Sequence, residues 1–180
     1  MENGQYNGDN YSNIPHEQLE PQEILNTGRF VILCVMTLGL YELWWIYKTW
    51  VFFKKKDNLD ILPALRAIFS IFFLYSLMER IQEYAKQKGY TKYYTSGGLT
   101  AGFIILNILS NLPNPYLLIS LFSFAFLIPP FEAFNYARLH SNEYETVELT
   151  AFNTRQTILL IAGTVFWIIL TADAYGLLQG

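Results

Sequence analysis

The chain has little charge, one cysteine and two histidines; of its 180 residues only 15% are Asp, Glu, Lys or Arg. A lone Cys34 allows no disulfide framework and no thiolate cluster. His16 and His140 stand apart, and the sequence contains no GxSxG, P-loop or HExxH pattern, so nothing marks a nucleophile, a phosphate cradle or a zinc site. Glu143, Glu145 and Glu148, spaced two and three apart, read as a solvated loop. No enzyme activity, metal or cofactor is expected from these residues. A net charge of -3 and a pI near 5.4 lack the concentrated basic surface that nucleic acid needs, so no nucleic-acid partner is expected. The first 29 residues also lack the basic and apolar regions of a signal peptide, and the amino terminus is expected to be retained.

What is present is apolar sequence in long runs. Hydrophobic residues make up 52% of the chain, and no charged side chain occurs from Tyr93 to Phe131 or from Gln156 to Ala172. This pattern predicts an all-α integral membrane protein with four or five hydrophobic helices. Residues 1–29, polar and acidic, are expected to be a disordered tail, and residues 30–180 a single helical membrane domain.

Residues 30–53 would exceed a hydrocarbon core of about 30 Å as one helix, with Lys54, Lys55 and Lys56 at its exit. A second helix is expected from Pro63 to Ile81, capped by Asp60, either spanning or interfacial. Residues 99–131 would measure about 50 Å as one helix, and the Asn-Leu-Pro-Asn-Pro stretch between Asn111 and Pro115 breaks them into a hairpin, with the break at Pro113 and Pro115. Pro129 and Pro130 end or kink the returning arm, and residues 156–178, capped by Asn153 or Thr154, form the last helix. If all five segments cross, seven Lys and Arg side chains against four favour a cytoplasmic amino terminus; if the second helix is interfacial, both basic loops face the cytoplasm and the amino terminus lies outside.

Candidate contact residues follow from the same frame. Tyr41, Trp44, Trp45 and Lys48 fall in one arc of the first helix with Thr37, Phe52 and Lys55, a stripe suited to lipid headgroups or a protein partner. Arg66 is the basic residue closest to membrane depth, with Glu42 as a candidate partner. Asn107, Asn111 and Asp173 are polar positions within apolar segments, read as interhelical hydrogen-bonding groups or as groups along a pathway.

Two stretches carry a resemblance. Thr37-Leu38-Gly39-Leu40-Tyr41, followed by Trp45, Tyr47, Lys48 and Trp50, and Pro63-Ala64-Leu65-Arg66-Ala67-Ile68-Phe69 with Tyr75-Ser76-Leu77, resemble a prokaryotic multi-pass membrane-protein family catalogued as a domain of unknown function. Its marks are a T-x-G-x-Y-x-x-x-W-x-Y-K-x-W helix end and a P-x-x-R-x-I-F helix start. The resemblance implies a small multi-helix domain in a bacterial inner membrane, brings no activity with it, and covers mainly residues 30–80. The expected role is a non-enzymatic membrane component contacting lipids, itself or another membrane protein. The alternative is a transporter or channel component.

Overall fold

A computed structural model describes residues 21–109 and 121–174. Strand β1 (Gln22–Ile24) leads into helix α1 (Thr27–Met36), whose start is capped by the Asn26 side chain accepting from the Arg29 backbone N–H at 2.8 Å. The described structure extends ahead of Phe30: Ile24 and Leu25 are buried, and β1 pairs in parallel with β2 (Thr146–Glu148). The protein is mostly helical, and this short ladder is the one departure from an all-α fold among the described residues.

The expected single helix over residues 30–53 is two helices folded back on each other. α1 ends in a Schellman motif: Gly39 N–H donates to the Cys34 carbonyl at 2.9 Å and Leu38 N–H to Val35 at 3.2 Å, with Leu38 at φ 52° and Gly39 at φ 86°. Thr37 locks the corner, its hydroxyl donating to the Leu33 carbonyl and accepting from the Tyr41 N–H. α2 (Leu40–Lys56) then returns along α1. The Phe30 and Trp45 rings lie 5.8 Å apart, whereas 15 residues of continuous helix would separate them by about 22 Å.

The second expected helix is broken as well. α3 (Pro63–Ile68) opens with Pro63 in its first turn, takes its N-cap from Leu62 and not Asp60, and ends at Phe69. There φ −93° and ψ 40° leave the helical region before α4 (Ser70–Gln87) sets off in a new direction. α5 (Ser96–Leu109) runs against a 3₁₀ segment (Leu121–Leu127) that continues into α6 (Ile128–Leu139). Gly102 leaves room for the Phe126 ring of the other arm, which a Cβ there would collide with. Pro129 and Pro130 sit in the first turn of α6, where a missing N–H costs nothing, so they start a helix rather than end one. The break expected at Pro113 and Pro115 lies outside the described residues. Last comes α7 (Thr154–Ala174), closed by a reciprocal capping box between Asn153 and Gln156.

These elements give the molecule two unlike ends. At one, which we call the base, polar loops meet: Arg80 pairs with Asp57 at 3.2 Å, Lys88 with Glu143 at 2.7 Å, and the Tyr84 and Tyr144 hydroxyls share a 2.7 Å hydrogen bond. The opposite end, the tip, holds the Leu38–Gly39 corner and the Phe69 break. Between them lies an aromatic core in which Phe30 stacks on Phe131 at 4.2 Å and Phe52, Phe53, Tyr84 and Phe134 interlock.

Most exposed apolar side chains lie toward the tip or along the last helix, although Leu139 and Val147 are exposed at the base. Those toward the tip include Leu40 and Leu43 on α2, Ile68, Phe69, Ile71 and Phe72 around the α3–α4 break, and Ile105, Ile108 and Phe122 on the α5 hairpin. Helix α7 is exposed along most of its length, and among the described helices it alone is long and apolar enough to cross a membrane. Its 21 residues measure about 31 Å. It packs on α1 through Gly163, where a Cβ would collide with the Met36 carbonyl, and through Trp167 Nε1, which donates to the Val35 carbonyl at 3.3 Å. Gly163 is the tenth of those residues, so α1 ends near the middle of α7.

Candidate functional site

The stripe expected along α2 is divided by the fold. Tyr41 and Trp45 turn into the core, Trp45 (7% exposed) against Phe30 and Phe131 and the Tyr41 hydroxyl accepting from Gln156 at 3.4 Å. Trp44 (44% exposed) stays outside beside Tyr47, and Lys48 is exposed. The cause is the fold-back: α1 covers one edge of the arc and leaves the other bare, so the four residues do not line a common groove.

Arg66 and Glu42 do not pair. The carboxylate of Glu42, 2% exposed, faces Ser123, whose hydroxyl lies 3.1 and 3.0 Å from its two oxygens. A single hydroxyl donates one hydrogen, so Ser123 serves the two oxygens through one shared hydrogen bond. Glu42→Gln, which can both donate to and accept from Ser123, should change the unfolding midpoint in detergent little. Glu42→Leu strands the hydroxyl and should cost about 1–3 kcal/mol. Equal losses for both variants would refute this account.

The Arg66 guanidinium instead lies over two rings, 4.5 Å from the centroid of Trp50 and 5.0 Å from that of Phe73. No group among the described residues accepts a hydrogen bond from it. Asn107 donates to the Phe103 carbonyl one turn back at 2.9 Å. Asn111 lies outside the described residues, and Asp173 belongs to the last turn of α7.

Composition gave no hint of a polar knot at the base. The Asn135 amide donates to the Leu25 carbonyl at 2.8 Å, and Arg138 donates to Asn135 at 2.6 Å and to the Glu23 carbonyl at 3.3 Å while lying over Phe134. Burial lowers the Arg138 guanidinium to about 10, so it stays cationic at neutral pH. Arg29 donates to the carbonyls of Leu149 and Thr150, joining the start of α1 to the loop before α7. The one local signal was the three-residue spacing of Asn135 and Arg138 on a helix that also carries Phe131 and Phe134. A cleft of about 610 Å³ opens beside this knot, between Thr27, Glu132, Tyr136 and Leu149. Among the described residues no cluster of three His, Cys, Asp or Glu side chains is placed to hold a metal ion.

Fold and site together define a mostly helical protein with, among the described residues, one helix of membrane length, an apolar tip and a charged base. No protein-family profile, curated protein or solved structure matches the chain.

Proposed function

We propose that this is a non-enzymatic component of a bacterial inner membrane that works through contacts with lipid or with a membrane protein, itself included. In this reading α7 crosses the bilayer, while the α1–α2 and α3–α4 folds enter and leave by one face. One crossing with re-entrant folds thus replaces four or five spanning helices. The observation that carries it is the division of the surface, with large exposed apolar side chains toward the tip and along α7, and ion pairs gathered at the base. Hydrocarbon tolerates the first surface and not the second. Because α1 and α2 fold back, Lys54, Lys55 and Lys56 share a face with Arg80, Lys86, Lys88 and Arg138, and a concentration of basic residues marks the cytoplasmic side.

Single cysteines at the exposed positions Asp60, Thr95 and Asn142, in a Cys34→Ala background, test the arrangement on intact cells. All three should be protected from an impermeant maleimide, while a cysteine at Gln179 should react. Five spanning helices would place residue 60 on the opposite face from residue 95, so labelling of Asp60→Cys with protection of Thr95→Cys would overturn the proposal.

A further inference from the structure

Arg66 stands on the boundary between the two surfaces. One turn toward the tip its neighbours are exposed apolar side chains, Ile68 and Phe69, with Leu65 beside it. On the base side lie Lys54, Lys55 and Lys56, one turn beyond Trp50 on α2. That boundary is the depth of phospholipid headgroups when the tip is buried in lipid. The side chain is half-buried, and the rings of Trp50 and Phe73 hold the guanidinium in place. Its N–H edge has no acceptor among the described residues, although this is the side chain best shaped for gripping a phosphate with two parallel hydrogen bonds.

We infer that Arg66, positioned by Trp50 and Phe73, binds the phosphate of an anionic phospholipid, with Leu65, Ile68 and Phe69 against its acyl chains. The rings limit the rotamer entropy lost on binding, and the apolar flank selects a lipid over a soluble phosphate. The inference rests on the membrane reading above, and it names the ligand and the site.

The test compares the purified full-length protein with Arg66→Gln, Arg66→Met and, as a control on the exposed base, Lys86→Gln. Each is equilibrated in detergent with equal amounts of phosphatidylglycerol and phosphatidylcholine, and bound lipid is counted by native mass spectrometry. The parent and Lys86→Gln should favour phosphatidylglycerol by about fivefold or more, the scale of one basic side chain at a lipid surface. Both Arg66 variants should bind the two lipids about equally. Arg66→Met keeps the apolar stem against Trp50, so it reports even where Arg66→Gln does not fold. A parent without preference, or an Arg66 variant that keeps it, overturns the inference. Displacement of phosphatidylglycerol by an equal concentration of inorganic phosphate overturns the lipid assignment. Alkaline carbonate extraction separates this from the broader reading: release of the parent from membranes sinks the membrane proposal itself, whereas retention with no lipid preference sinks only the Arg66 site.

Discussion

Trp45→Ala should destabilise the protein by about 3–5 kcal/mol, whereas Trp44→Ala, one residue away, should cost less than about 1 kcal/mol. Trp45 packs edge-on to Phe30 and against Phe131, at the point where α1, α2 and α6 meet, and its loss leaves a cavity that three helices share. Trp44 touches Tyr47 and otherwise faces outward. Unfolding midpoints of both variants in one detergent decide the matter. Similar losses would mean that the α1–α2 fold-back does not form, because a continuous helix would expose both rings to comparable surroundings.

Gly163→Val should have the second large effect. The backbone carbonyl of Met36 occupies the space that any Cβ at residue 163 would need, and a carbonyl cannot turn aside as a side-chain end can. The helices must separate, the Trp167 hydrogen bond to Val35 is lost, and overpacking of this kind costs about 1–3 kcal/mol or more. The expected readout is faster proteolysis in residues 141–153, together with unchanged resistance to carbonate extraction. An unchanged proteolysis rate would show that α7 does not rest on α1 through this glycine.

The helical content of this fold was legible in the sequence, and the path of the chain was not. Apolar runs report the environment a segment prefers, and Pro63 and Asn153 mark helix starts through local stereochemistry and capping, which need no knowledge of the rest of the chain. The reversal at Leu38 and Gly39 depends on tertiary support. A leucine in the left-handed region is unfavourable alone, and the only local sign was a glycine in an otherwise unbroken apolar run. The α3–α4 break at Phe69 has no sequence mark at all. The same limit applies to the site. Arg66 could be singled out because a basic residue among apolar neighbours is conspicuous, but its rings and the separate fate of Glu42 follow from which helices become neighbours.

The small ladder at the base has a mechanical meaning. β1 and β2 run in the same direction, and each delivers the chain into a helix, α1 two residues after one strand and α7 five residues after the other. Tension applied to the residues ahead of β1 would load the ladder's hydrogen bonds side by side, in shear, and not peel them off one at a time. Arg29, fastened to Leu149 and Thr150, shares that load, and Asn153 bonded to Glu23 adds a third point. Strand β1 is thus tied to the approach of the membrane-length helix at three points, and a force along β1 would reach α7 through them.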